Sequence, residues 1–411
     1  MHFSFIPRYN GKIVLLFLCL ALSFSSFHLT GQEQIGRPFI TNYSYQEYEA
    51  HPTNWWALED KDGIMYFANN DGLLQYDGVN WNLIDTDDHG VRCMVYDDQG
   101  VMHVGSENDF GYLKPNAKGE LEYFTLKDKV PEEHKLIGTV WEVDNYNGRI
   151  IFRTSNKLYC WDGEKIKVIV SEDAYHVGKI IHGTYYIRIW NRGLCYLSDE
   201  DTLELVPGGE IFADERIYVI LPYDEKQVLL GTRTMGFFLY DGEEFKPFQV
   251  EIDPEILKAV YLPGIALDNG NFVINTFAEG TYLIDHNGKL IQKFTTENGL
   301  QDGSTSFTYL DSRGVLWMPL FNGISKVNLN SSTTVLDTNM GLATKVVFST
   351  YRFKDILYLG TNNGIFYLDE EGKELVLVKG TLGQVANFLE VDGRLYSGTG
   401  SVGLIEIDGT K

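Results

Sequence analysis

The residues of this chain best suited to chemistry are arginines that recur at one position of a repeating pattern. Arg153, then Arg188, Trp190 and Arg192, then Arg233 fall between two apolar runs in three consecutive copies. His176 and Arg216 stand at the starts of copies nearby. A guanidinium is a planar fork of donors matched to carboxylate or sulfate. Arginines gathered at one level therefore predict a cationic, partly aromatic pocket for an anionic ligand. Phe277, Glu279 and Phe321 occupy the same place in the next two copies, where the rings would stack on a sugar. The more economical reading is that each arginine pairs with a neighbouring acid and stabilises its own corner.

Other constellations carry less. Gly398-Thr399-Gly400-Ser401-Val402-Gly403 has the spacing of a dinucleotide-binding glycine loop. That loop needs a helix behind it to hold the pyrophosphate, whereas residues 404–407 read as a strand. Carboxylate pairs such as Glu59/Asp60 and Asp97/Asp98 sit at hairpin turns, where Asp shapes the turn and faces water. The nine histidines are scattered, and no Ser/His/Asp arrangement stands out. Cys93, Cys160 and Cys195 each fall in an expected strand, with no CxxC or Cys/His spacing, and predict small buried side chains. The expectation is a chain with no catalytic residues, no metal and no cofactor.

What must position the arginines is a series of hairpins. Residues 294–329 show the unit in full: a turn at Asn298-Gly299, a run over 307–310 and a reversal at Asp311-Ser312-Arg313-Gly314. A second run follows over 315–320, then a corner at Asn322-Gly323 and a third run over 324–329. Alternating runs punctuated by Gly, Asp and Asn read as antiparallel strands. The corner recurs at Gly72, Gly111, Lys157, Gly193, Gly236, Gly280, Gly323, Gly364 and Gly403, spaced 36 to 46 residues apart. Nine copies with this period and four short strands each predict an all-β chain, a β-propeller of four-stranded antiparallel blades. The innermost strands are expected to begin near Trp55, Val91, Thr139, Tyr175, Arg216, Ile265, Phe307, Val346 and Val385. Lys157 alone lacks glycine, so its corner is expected to be more open. Residues 36–49 are a candidate closing strand, and Asp253-Pro254-Glu255 could cap one helical turn.

TTENGLQDGSTSFTYLDSRGVLWMPLFNGISKV resembles the two-component regulator propeller repeat: an NGL turn, a D-x-x-G hairpin, an aromatic-rich second strand, then N-G and an apolar strand. The same frame recurs in DKDGIMYFANNDGLLQYDG, DDQGVMHVGSENDFGYL and ILYLGTNNGIFYL. The resemblance covers the chain from about residue 32 onward. It implies the exported sensor region of a Bacteroidetes-type hybrid two-component or one-component receptor. Such receptors often carry two seven-bladed propellers and a Tyr-rich sandwich, then a membrane helix and a kinase, cyclase or DNA-binding output. The segments after the propellers are not in this sequence, so the expectation is an N-terminal fragment or a processed piece. Residues 32–335 would form one seven-bladed ring and 336–411 the first blades of a second; a single ring of eight or nine blades is the alternative. The hairpin from Asp311 to Trp317 also resembles the Asp-box of sialidase propellers, which is structural there too.

Composition narrows the partners. The net charge is −23 and the apolar fraction 44%. So acidic a chain is unsuited to nucleic acid, which needs a basic face. Residues 1–12 carry Arg8 and Lys12 and no acid, 13–24 are apolar, and Ser25, Ser26, Thr30 and Gly31 precede Gln32. That is a secretory signal peptide cleaved near Gly31, with Cys19 inside its core. A periplasmic or otherwise extracytoplasmic location follows, with membrane contact only through segments downstream. The expected function is a non-catalytic sensor of a small molecule or oligosaccharide, by analogy glycan-derived or otherwise anionic; a homodimer of the full receptor is allowed. A propeller-fold polysaccharide lyase or glycosidase is the first alternative, and a protein-interaction scaffold the second.

Overall fold

The computed structural model describes residues 36–87, 90–253, 261–331, 333–344, 346–369 and 374–409. The expected signal peptide with Cys19, and Pro254 and Glu255 of the expected helical turn, lie outside the described residues. The chain divides into two compact units: Pro38–Thr333, and Thr334–Lys411 with the N-terminal residues up to Arg37.

The described residues of Pro38–Thr333 form seven four-stranded antiparallel sheets. The first runs Asn54–Glu59, Met65–Asn69, Gly72–Tyr76 and Trp81–Ile84, each strand pairing with the next. The first strands of the other six are Val91–Tyr96, Glu142–Tyr146, Tyr175–Ile181, Ile217–Pro222, Tyr261–Ala266 and Tyr309–Leu310. All start within four residues of the positions read from the repeat. The seventh sheet takes its outer strand from the other end of the unit: Ile40–Tyr43 pairs with Gly323–Asn328, from Ile40 opposite Val327 to Tyr43 opposite Ile324. A four-residue helix, Tyr45–Tyr48, follows, with Ser44 and Glu47 forming a capping box.

Each sheet is apolar on both faces, as the unbroken burial of Met65–Asn69 requires. Buried clusters join neighbouring sheets in turn. Tyr66 and Ala68 of the first meet Met94 and Val104 of the second. Phe110 meets Phe152 and Tyr159 of the third. Ile151 meets Tyr185 and Ile187 of the fourth, and Val177 meets Ile220 and Leu230 of the fifth. Leu229 meets Phe272 of the sixth, whose Val273 meets Leu316 and Met318 of the seventh. Trp317 and Ile324 of the seventh then pack on Phe67 and Leu74 of the first, so the series of contacts is a cycle. Cys93, Cys160 and Cys195 are buried in these layers as free thiols.

Within a sheet, first-to-second and third-to-fourth hairpins lie at one end of the strands. Second-to-third corners and strand starts lie at the other. At the hairpin end Asp shapes the chain. Asp60 Oδ1 accepts the N–H groups of Asp62 and Ile64, both at 2.9 Å, and Asp311 Oδ1 those of Arg313 and Val315, also at 2.9 Å. Gly63 and Gly314 reverse the chain at φ near +80°, which explains the D-x-x-G signature. The Lys157 corner is not more open than the others. Its strand is held by Thr154 N–H donating to the Lys157 carbonyl at 2.9 Å, and the Thr154 hydroxyl accepts from Lys157 N–H at 3.2 Å. A threonine cap closes this turn where glycine closes others.

The second unit holds one four-stranded sheet, Val347–Phe353, Ile356–Thr361, Gly364–Leu368 and Leu375–Leu377. Beside it lies a three-stranded sheet, Val385–Val391, Arg394–Thr399 and Gly403–Ile407. Tyr358 and Ile365 of one pack against Val385, Leu395 and Ile407 of the other. The glycine series ending at Gly403 is a corner leading into a strand, not into a helix.

Candidate functional site

Most first strands in Pro38–Thr333 pair irregularly at the strand-start end. The register shifts between Asn54 and Trp56, Val91 and Cys93, Tyr175 and Gly178, Ile217 and Val219, and Leu262 and Ile265. These are β-bulges, in which an extra residue breaks the alternation and redirects a side chain. The residues inside them include Trp55, Arg92, His176 and Val177, Tyr218, and Pro263. All of these line one cavity of about 320 Å³. The third sheet, which lacks a bulge, adds Trp141, Glu142 and Arg153, and the seventh adds Ser306. Trp56 and Tyr175 complete the wall, so all seven sheets reach the cavity.

Half of the residues that line the wall are aromatic. Trp55 is fixed by its indole N–H, which donates to Asn70 Oδ1 at 2.7 Å, and meets Phe321 edge-on at 5.1 Å. Phe321 in turn meets Phe277 at 5.4 Å. Trp56 stacks on Phe307 at 3.8 Å, with the Lys179 ammonium 5.1 Å from its ring centre. Arg92 lies 4.1 Å over Trp55 and 5.6 Å from Trp141.

The floor is a buried ion pair. Arg153 Nε donates to Glu142 Oε2 at 2.6 Å, and both side chains are almost wholly buried. The same oxygen accepts the Gly178 N–H at 2.8 Å. A side chain at 178 would run into the Tyr185 hydroxyl, so the bulge of the fourth sheet needs glycine there. Burial opposes the charge of Arg153, but Glu142, with Tyr185 and Asp144, more than offsets it and the guanidinium titrates above its ordinary value. Two residues along the same strand, burial pushes the Asp144 carboxyl up to about 6. His176 Nδ1 stands 2.7 Å from the Ile217 carbonyl, so it must donate, leaving Nε2 as the ring acceptor. Burial, with Arg153, Arg188 and Arg216 nearby, pulls this imidazole down to about 4 and keeps it neutral.

Of the residues singled out in the sequence, Arg153 and His176 line this cavity, and Phe321 and Phe277 extend its aromatic wall outward from Trp55. The arginine corners do not converge on it. Arg188 is fully buried and donates to the carbonyls of Phe212 and Ala213, with its guanidinium 3.6 Å over Trp190. Burial holds it down at about 10. Arg192 is exposed and donates to Leu203 O at 2.7 Å, on the outer strand of its sheet. Arg233 is exposed, and Arg216 donates to the Tyr218 hydroxyl at 3.3 Å. Neither arginine-to-acid pairing nor a common pocket describes Arg188 and Arg192: both bind backbone carbonyls, which sequence spacing cannot reveal. The reading of the sequence missed Trp55, Trp56, Arg92, Trp141, Glu142, Tyr175 and Tyr218 as cavity residues. Most stand beside strand starts that the repeat does locate.

A second hollow of about 110 Å³ lies at the hairpin end, between the second and third sheets. It is polar, lined by Asp97, Asp98, Asp162, His103 and Asn145 among others, and His103 Nε2 lies 3.2 Å from Asp97 Oδ2. Among the described residues no group of three or more His, Cys, Asp or Glu could hold a metal ion. No described helix is long and apolar enough to cross a membrane.

No protein-family model matches the sequence, and neither does any curated protein. Solved structures share the fold. The extracellular domain of a hybrid two-component system from B. thetaiotaomicron matches at 16% identity and a TM-score of 0.63, covering 90% of this chain and 53% of that one. Virginiamycin B lyase from Staphylococcus aureus matches at 13% identity and 0.54, covering 71% of this chain and 98% of that one. A His-to-Ala variant of that lyase is catalytically inactive. The WD40 β-propeller domain of Doa1 matches at 12% identity and 0.54, covering 75% of this chain and 100% of that one. The chain is thus a β-propeller of four-stranded blades, and it spans about half the length of the two-component extracellular domain.

Proposed function

We propose that this chain is the ligand-sensing propeller region of an extracytoplasmic signal receptor, with its ligand in the 320 Å³ cavity. The observation that carries this reading is the repeated bulge. Five strand starts of the repeat break their pairing, and each places a side chain on the wall of one cavity. Bulges cost ladder hydrogen bonds, so five aimed at one point mark a site. Aromatic walls with a few placed polar groups suit a small molecule or one or two sugar rings. Similarity in fold to a two-component extracellular domain supports the receptor setting. An interaction scaffold would present a flat apolar face instead of a cavity. The experiment is calorimetry of the chain with neutral and acidic mono- and disaccharides, comparing wild type with Trp55→Ala and Tyr218→Ala. Binding that the variants lose supports the reading, and equal binding by all three rejects the cavity.

A polysaccharide lyase is the second reading, favoured by one observation: neutral His176, with Nε2 as acceptor, lines the cavity of a fold shared with a lyase whose His-to-Ala variant is inactive. Binding is preferred because Glu142, the other proton acceptor of the wall, is already held by Arg153 and Gly178. Ultraviolet-absorbing unsaturated products from an acidic polysaccharide would reverse the preference.

We further propose that Pro38–Thr333 is a complete seven-bladed ring, that the sheets after Thr334 open a second, and that residues 1–31 are a cleaved export signal. The cycle of seven packed sheets supports the first. The exposed apolar Leu389, Val391 and Leu404 of the three-stranded sheet support the second, since a further blade would cover them. Intact mass of exported protein tests the third, which retention of residues 1–31 would reject.

A further inference from the structure

Each arginine near the cavity has a hydrogen-bond partner, with one exception. Arg153 is held by Glu142, Arg188 by two backbone carbonyls and Arg216 by the Tyr218 hydroxyl. Arg92 sits in the bulge of the second sheet, half-buried between Trp55 and Trp141. Among the described residues its guanidinium makes no hydrogen bond and no ion pair; Glu107 acts on it only through space. Burial alone lowers its titration from the ordinary arginine range. In a chain of net charge −23, an unpaired and partly desolvated cation on a cavity wall is an expensive arrangement. The two indole faces hold the guanidinium in place by cation–π contact, which leaves its in-plane donors free.

We propose that Arg92 anchors the carboxylate or sulfate of a ring-shaped ligand whose ring lies against the aromatic wall. The proposal rests on the reading of this cavity as the ligand site. It adds the ligand's chemistry, an anionic group on a six-membered ring, and the residue that selects it. A forked donor pair to a carboxylate, in a cavity that excludes much of the water, favours the anion over its neutral counterpart by about tenfold or more. The ring is either a hexuronic sugar or an aromatic acid, since both stack on indole.

The test is calorimetry of the whole chain with four probes in two pairs: glucuronate against glucose, and benzoate against benzyl alcohol. The proposal expects at least one acid to bind about tenfold or more tighter than its neutral partner, and the pair concerned identifies the ring. Arg92→Gln should abolish the difference and leave the neutral ring bound as before. Arg92→Lys, which keeps the charge and the cation–π contact, should retain part of it and guards against a variant that fails to fold. Equal binding of acid and neutral ring in the wild type, or a difference that survives in Arg92→Gln, overturns the anchor while leaving the cavity as a ring-binding site. Binding of none of the four at millimolar concentration overturns both.

Discussion

The two ends of the strands in Pro38–Thr333 use polar side chains in opposite ways. At the hairpin end, carboxylates turn inward on their own backbone. Asp77, Asp162, Asp224 and Asp241 each accept two N–H groups from the turn that follows. Such a group commits one carboxylate oxygen to its own turn. At the strand-start end the ladder is interrupted instead, and the side chains in the bulges face a shared cavity. The same repeat therefore specifies the scaffold at one end and varies the site at the other. Acidity, which dominates the composition, does not describe the cavity.

The largest expected effect is at the cavity floor. Glu142→Ala leaves Arg153 buried without its partner and should destabilise the chain by about 3–5 kcal/mol. An unfolding free energy from urea titration lowered by less than about 1 kcal/mol would mean that water reaches the pair, and the floor would have to be redrawn. At the hairpin end Asp311→Ala removes the acceptor for Arg313 N–H, Val315 N–H and the indole N–H of buried Trp317. A loss of about 1–3 kcal/mol is expected, with ligand affinity unchanged. A changed affinity would break the separation of the two ends.

The smallest effect distinguishes the ends by pH. Backbone hydrogen bonds hold the carboxyls of Asp77, Asp162, Asp224 and Asp241 below their ordinary value of 3.8, Asp241 at about 2. A carboxyl with a depressed folded value adds stability that is complete above the unfolded value and lost as pH falls through the folded one. The melting temperature should therefore drop between about pH 4 and pH 2, and less steeply in an Asp77→Asn, Asp241→Asn variant. These groups face water, so the difference should be small. Identical slopes would mean that the hairpin carboxylates contribute nothing.

The sheets were legible because glycine corners and D-x-x-G turns follow from backbone geometry, which every copy must satisfy. The closing strand was legible within the stretch 36–49, but only residues 40–43 pair, and Tyr45–Tyr48 turn into a short helix. The cavity was less so. A bulge adds one residue without altering composition or period, and it decides whether Arg92 faces the cavity or the core. Arg188 looked like a ligand-binding corner, but its nearest acceptors are the carbonyls of a short 3-10 turn, Gly209–Phe212, and of Ala213 just after it. Which carbonyls a guanidinium meets depends on loop path, which apolar periodicity does not encode. Arg153 was found through its corner between second and third strands and His176 through its strand start, whereas the tryptophans beside them carry no signal in type or spacing that sets them apart.

The central claim is that the ligand occupies the strand-start end. The chain carries seven tryptophans, each with one indole N–H. Trp55, Trp56 and Trp141 line the cavity, whereas Trp81 and Trp317 pack at the junction of the seventh and first sheets and Trp161 lines the hairpin-end hollow. Titration with glucuronate or benzoate, followed by the nitrogen-15 indole resonances, should move the signals of Trp55, Trp56 and Trp141 and leave those of Trp81, Trp161 and Trp317 in place. Shifts confined to the second group, or equal shifts across both, would contradict the account.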